Sequence, residues 1–344
     1  MNVRTREKVP TIAELTARFP ITDELKRQVM RDRSELRNIL SGKDDRFIVI
    51  VGPCSAWPSP AVLSYAGQLA SLEKILSDRL KIVMRVYTQK PRTTTGWTGP
   101  AIQPDPFTHP DMAVGLRHVR SLMSEVVSLG LAISDEALFP HVTRGTLDLL
   151  SWVAIGARST EDQERRIFAS ALDLPVGMKN PTSGSIGIGV NSIIAAQHRH
   201  AMVMDGLQIE TNGNEHAHLV LRGGETGPNY SRAHIEQAAT LLNRSSITNP
   251  AIIVDASHDN CRDRGKKDPH RMIDVVKSVL GTRKENVSHN WVKGIMLESF
   301  LQTGNQCIDG KRIEEVDMTG LSITDPCLGW QETETLLRYI HTHC

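Results

Sequence analysis

Eight short apolar runs punctuate the chain: FIVIV (47 to 51), stopped by Gly52-Pro53, and seven that close on a polar residue, KIVMR (81 to 85), LAISDE (131 to 136), VAIGAR (153 to 158), LPVGMK (174 to 179), HLVLR (218 to 222), AIIVDASH (251 to 258) and GIMLE (294 to 298). Runs that are apolar almost throughout, rather than at alternate positions, mark strands buried on both faces. Most of the intervening segments have helical spacing; after Cys54, for example, Val62, Tyr65, Ala66, Leu69, Leu72 and Leu76 share one stripe, and Ser59 with Pro60 reads as an N-cap followed by proline at the first helical position. Strand and helix in alternation predict parallel pairing. Eight such units in one chain favour an α/β fold of the closed (β/α)8 TIM-barrel type over an open sheet.

Ahead of the first run, Thr22 caps a predicted helix whose residues Leu25, Val29, Leu36, Ile39 and Leu40 form a stripe ending at Ser41-Gly42. Residues 1 to 46 are thus expected to be an N-terminal extension decorating a catalytic barrel of residues 47 to 344. Extra β structure is expected as an insertion near 202 to 217, signalled by the stretch from Met202 to Thr211. From Thr88 to about Pro110 no period is visible, and a structureless stretch of that length is either functional or disordered. Tyr87, Trp97 and the basic residues there favour function.

Composition narrows the function classes. The 40 Lys and Arg against 39 Asp and Glu give a formal charge of +1, so no global field draws the chain to nucleic acid or to an anionic membrane. Hydrophobic residues make up 40% without any run long enough to span a bilayer, and the polar start MNVRTREKVP lacks the character of a secretory signal; the expected location is the cytoplasm. The five cysteines, 54, 261, 307, 327 and 344, contain no CxxC pair and predict free thiols. Lys266-Lys267 reads as a solvated patch, and the terminal His341-Thr-His-Cys344 as a frayed end rather than a metal tract.

Barrel enzymes collect their chemistry at the carboxyl ends of the strands. Here that rim reads Cys54, Arg85, Glu136, Arg158, Lys179, Arg222, His258 and Glu298. Since the first, seventh and eighth strands are neighbours in a closed barrel, Cys54, His258 and Glu298, with Asp325 from SITDPCLGW, can meet around one divalent ion. A thiolate, an imidazole and two carboxylates suit Mn, Fe, Co or Zn rather than Mg or Ca. Taken singly, each would be an ordinary buried thiol or surface charge; the shared position gives the set its meaning. Arg85, Lys90, Arg92, Arg158, Lys179 and Arg222 are enough cations for two phosphorylated ligands, and Gly223-Gly224 are expected to let backbone amides approach an anion.

With GPCS (52 to 55), MRVYTQKPRTTTGW (84 to 97), SWVAIGARSTE (151 to 161), PVGMKN (175 to 180), LRGGETGPNYS (221 to 231), DASHDN (255 to 260), MLES (296 to 299) and SITDPCLGW (322 to 330) in this order, the chain resembles the class I 3-deoxy-D-arabino-heptulosonate 7-phosphate (DAHP) synthases of the feedback-regulated microbial type. The resemblance implies a metal-dependent, aldol-like condensation of phosphoenolpyruvate with erythrose 4-phosphate, the first step of the shikimate pathway to aromatic amino acids, carried out by a homodimer or homotetramer. It implies Cys54, His258, Glu298 and Asp325 as metal ligands and Arg158, Lys179 and Arg222, helped by Arg85 and Lys90, as phosphoenolpyruvate ligands. Lys90, Arg92 and Thr93 would face the sugar phosphate, and Glu136 would order the attacking water.

The chain departs from the family pattern in the surroundings of these residues. GPCSAWPSP stands for a GPCSIHD-like stretch, KNPTSG for KNGTDG, DEALF for GEFLD and DASH for DFSH. The pattern is that of a divergent paralogue, open to a specialised pathway. Met202 and Met204 would fill the region that shapes the family's aromatic effector pocket, implying weak feedback inhibition. Two other readings compete: a condensation with another aldose phosphate such as arabinose 5-phosphate, against which KPRT (90 to 93) argues, and a non-catalytic phospho-ligand-binding relative.

Overall fold

The computed structural model describes residues 1–92, 94–285 and 291–344. Eight parallel strands close into a barrel: β1 Phe47–Gly52, β2 Leu80–Arg85, β3 Ala132–Glu136, β4 Trp152–Ile155, β5 Val176–Lys179, β6 Ala217–Leu221, β7 Ile252–Asp255 and β8 Val292–Glu298, each paired with its sequence neighbours and β8 with β1. The closing register sets Gly52 opposite Glu298, which brings the ends of the first and last strands together. Every residue of β1 to β7 is buried, as near-continuous apolar strands require.

Outward-facing strand residues such as Val49, Val51, Ile82, Met84 and Leu297 join the surrounding helices in one large core. Inward-facing residues, among them Ile48, Ile50, Val83, Trp152, Val220, Ile253 and Met296, form a second cluster inside the barrel. That inner cluster also contains Leu36, Ile39 and Leu40 of the helix Asp23–Leu40. The helix starts where expected, with Thr22 Oγ1 accepting from the Leu25 amide. Its role differs from decoration. Its apolar stripe has no other place to be buried than the lower mouth of the barrel, and Lys81 Nζ, 2.7 Å from Asp32 and 2.8 Å from Glu35, fastens it to β2.

Other expectations shift by small, explicable amounts. The helix after Cys54 runs Ser59–Leu76 with Pro58 at the cap; Ser59 is its first residue, and its Oγ lies 2.8 Å from His118 Nε2 instead of capping. The inserted β element is the hairpin Ala201–Met204 with Leu207–Glu210, so it ends well before 217, the first residue of β6. A second, two-residue-per-strand hairpin, Arg262–Asp263 with Lys266–Lys267, follows β7. The C-terminus is helical through His343 rather than frayed, because His341 Nε2 reaches Asp78 at 2.7 Å and Leu336, Leu337 and Ile340 are buried. In the described residues of the aperiodic 88 to 110 stretch, Trp97 packs beside Trp57 and its Nε1 donates to Gln103 O. Among the described residues no helix is long and apolar enough to cross a membrane.

Two outcomes follow. Leu36→Ala should lower the unfolding free energy by about 2–5 kcal/mol, the cost of a buried leucine cavity, in denaturant titration; an exposed decorating helix would give a value near zero. His218, inside the barrel, accepts from Trp152 Nε1 at 3.1 Å, and burial pushes its pKa down to about 4. The unfolded chain therefore binds a proton that the folded chain refuses; this contribution is complete above about pH 6.5 and is lost as the pH falls toward 4, by about 3 kcal/mol in all. The acid-side decline in stability should be shallower in His218→Gln, which keeps an acceptor for Trp152 without titrating.

Candidate active site

At the upper rim the backbone first creates proximity. Gly52, at φ 151°, carries no Cβ; one there would lie 2.8 Å from Arg85 O, so only glycine allows β1 to deliver Cys54 this close to β2. Glu298 ends β8 opposite, and its amide donates to Ser257 Oγ. His258, three residues beyond the end of β7, adopts a left-handed φ of 56° that turns its ring back over the rim. Asp325 arrives from the long segment after β8.

Three of the four expected metal ligands come together in one cluster, and His258 stands beside it. Single donor atoms of Cys54, Glu298 and Asp325 all lie within 4.8 Å of one another, and His258 Nε2 stands 3.6 Å from Glu298 Oε1. Glu298 Oε2 is buried with no hydrogen-bond partner, an arrangement that costs free energy unless a cation completes it. A thiol, two carboxylates and an imidazole around an orphaned oxygen fit a borderline transition ion. Burial, then the Glu298 charge, pushes the Cys54 thiol up, so without a cation it stays protonated. Burial also lowers His258, against the pull of Asp255, leaving a neutral imidazole with a lone pair to offer. Its Nδ1 faces Asp255 Oδ2 at 2.8 Å.

The cations separate into two groups. Arg85 is wholly buried, donating to Glu298 Oε1 at 3.1 Å, with its guanidinium 3.8 Å from the Tyr87 ring centre. Lys90 donates to Cys54 O at 2.6 Å and approaches its Sγ at 3.2 Å. Lys179 pairs with Asp255 at 3.0 Å, and Arg222 with Asp259. These four are buried, whereas Arg92 and Arg158 are exposed, Arg158 in the turn after β4. Thr93 lies outside the described residues. Glu136 is buried against Gly156, where a Cβ would stand 2.0 Å from Oε1.

One expectation is overturned. The amides of Gly223 and Gly224 do not face a ligand, because Gly223 N donates to Asn229 Oδ1 and Gly224 N to Gly227 O. Asn229 is six residues away in sequence, and nothing local announces its return. Pro181, by contrast, is at ease: Asn180 N completes the strand pairing to Val220 O, and Pro181 O accepts from Gly184 N in a turn that needs no proline donor.

Several site residues were not singled out in the sequence. Asp255 bridges Lys179 and His258; a carboxylate ending an otherwise apolar run was its signal. Asp135 accepts from Thr88 N at 3.0 Å, Thr88 Oγ1 at 2.5 Å and Glu136 N at 2.7 Å, anchoring the segment that carries Lys90; burial raises it to about 7 despite these bonds. Lys267 is no solvated charge, since its Nζ donates to Asp325 Oδ2. Asp259 and Lys267 gave no sequence signal beyond charge.

Against known proteins, the DAHP synthetase I family model matches residues 18–338. The Tyr-sensitive phospho-2-dehydro-3-deoxyheptonate aldolase of Salmonella typhimurium is 39% identical, covering 99% of this chain and 95% of its own length. The Phe-sensitive protein of that name from Escherichia coli K12 is 38% identical, over 97% and 94%. The solved structure of phospho-2-dehydro-3-deoxyheptonate aldolase from Francisella tularensis SCHU S4 superposes with a TM-score of 0.92 at 32% identity, over 99% of this chain and 98% of that one. The rim chemistry, the barrel and these matches along nearly the whole length lead to one conclusion: the chain belongs to the DAHP synthetase I family of enzymes.

Proposed function

We propose that this chain condenses phosphoenolpyruvate with erythrose 4-phosphate to give DAHP and inorganic phosphate, using a divalent ion held by Cys54, His258, Glu298 and Asp325. The observation that carries the metal reading is that donor atoms of Cys54, Glu298 and Asp325 lie within 4.8 Å of one another, with Glu298 Oε2 buried and unpartnered. When bound, Mn, Fe, Co or Zn would supply Lewis-acid polarisation of the aldehyde oxygen. The protein's own residues do the rest. Lys179, Arg222, Arg85 and Arg158 bind and orient phosphoenolpyruvate, while Lys90, Arg92 and Thr93 orient the sugar phosphate. The C3 carbon of phosphoenolpyruvate bonds to the aldehyde carbon, and Lys90 gives a proton to the oxygen that becomes a hydroxyl. Glu136 orders the water that adds at C2, after which the bond from C2 to the phosphate oxygen breaks and phosphate leaves. The exposed Val203 and Leu207 on the inserted hairpin support association into a homodimer or homotetramer. The cytoplasm is the proposed location.

Purified protein should consume phosphoenolpyruvate only with erythrose 4-phosphate present, followed as loss of the enol absorbance; a chelator should abolish the reaction and added Mn or Co restore it. Faster turnover with arabinose 5-phosphate, or binding of phosphoenolpyruvate without turnover under any metal, would replace this reading with one of the two alternatives. Lys90→Met should lower kcat/KM by about 100-fold or more, the scale of a lost general acid. Gly156→Ala, which drives a methyl into Glu136 Oε1, should lower kcat while metal content stays unchanged. Phenylalanine, tyrosine and tryptophan should inhibit weakly, and inhibition by any of them at micromolar concentration contradicts the expectation from Met202 and Met204.

A further inference from the structure

The segment between Asp259 and Lys267 touches both halves of the site at once. Asp259 Oδ2 accepts from Arg222 Nη1, and its Oδ1 accepts from Arg262 Nε. Arg222 is itself buried, and its Nε has no hydrogen-bond partner. Gly223, at φ 75°, makes this approach possible, since a Cβ there would lie 2.7 Å from the Asp259 carbonyl carbon. Eight residues further on, Lys267 Nζ donates to Asp325 Oδ2. Asp325 is one of the three groups, with Glu298 and Cys54, that converge as metal donors, so this ammonium stands at the edge of that cluster.

Between these ends the chain forms the small hairpin Arg262–Asp263 with Lys266–Lys267, whose two central residues, Arg264 and Gly265, have φ 46° and 83°. Positive φ at both positions is the backbone of a tight two-residue hairpin turn. Arg262 is about half exposed, and Lys267 keeps one-fifth of its side chain exposed. The hairpin therefore reaches from solvent into the rim.

We propose that this segment occupies the site with its own charges when ligands are absent: Asp259 sits on Arg222 where an anionic group of the substrate would bind, and Lys267 sits on Asp325 where a divalent cation would. The proposal rests on the functional reading above for what those ligands are. Physically, a buried guanidinium and a carboxylate pair of which Glu298 is buried both need a counter-charge, and one short segment supplies both. An arriving anion competes with Asp259 for Arg222, and Arg262 remains as the partner that receives the released carboxylate. An arriving dication repels the Lys267 ammonium, which has solvent within reach. Lys267 is thus a competitor for Asp325 rather than a holder of it.

The test uses the full chain, stripped of metal, with Co2+ alone and phosphoenolpyruvate alone as probes in titration calorimetry. Lys267→Met should bind Co2+ at least tenfold more tightly than the unaltered chain, and Asp259→Asn should bind phosphoenolpyruvate at least tenfold more tightly. Lys267→Arg and Asp259→Glu, which retain each charge, should stay near the unaltered affinities. Lys267→Gln repeats the measurement with a polar side chain if the methionine variant does not fold. Equal or weaker Co2+ binding on removal of the lysine charge would make Lys267 a support for Asp325 and overturn the proposal, as would equal or weaker phosphoenolpyruvate binding by Asp259→Asn. If the unaltered chain and every variant bind neither probe, the functional reading falls and this inference with it; if the unaltered chain binds both and the variants do not tighten, the inference alone falls.

Discussion

The rim of this barrel is organised around the ion pair of Arg85 and Glu298, two charges with essentially no contact with water. Removing charges from water is expensive, and a buried pair repays the cost only when its geometry is good and its remaining polar atoms are served. Arg85 meets that demand through Glu298, the Met296 sulfur and the face of Tyr87. Glu298 meets it with one oxygen only. Around this pair three more cations have an opposite: Lys179 with Asp255, Arg222 with Asp259, Lys267 with Asp325. The one atom left without a partner in that carboxylate cluster, Glu298 Oε2, marks where the balance is incomplete.

Legibility in the sequence followed the range of the interactions. The eight strands were readable because burial on both faces writes itself into consecutive residues, and the rim followed because strand ends are local features. His258, Glu298 and Lys179 were found that way. The purpose of the helix Asp23–Leu40 was not readable, although its stripe was, because the stripe says that a face is buried and not what buries it. Asp259 and Lys267 were hidden for the same reason: a charge in a polar stretch looks solvated until its partner, 37 residues away for Asp259 and 58 for Lys267, is brought alongside. The Gly223-Gly224 expectation failed because glycine reports backbone freedom, which Asn229 and Gly227 had already taken up.

The departures from the family pattern are internally consistent. Asp135, in the altered DEALF stretch, holds the backbone and hydroxyl of Thr88 while Gln89 Nε2 donates to Thr143 Oγ1 and its Oε1 accepts from Phe139 N. Around Pro181, Asn180 accepts from Arg222 N and donates to Gly223 O, and Asn229 donates its side-chain amide to Asn180. A local rule broken at one position is compensated by its neighbours.

The helix wedged into the lower mouth has a topological consequence. With Leu36, Ile39 and Leu40 joined to the side chains that fill its interior, the barrel is a packed core sealed at its lower end. The chemistry-bearing side chains are thereby confined to the upper rim, where Trp97 packs against Trp57.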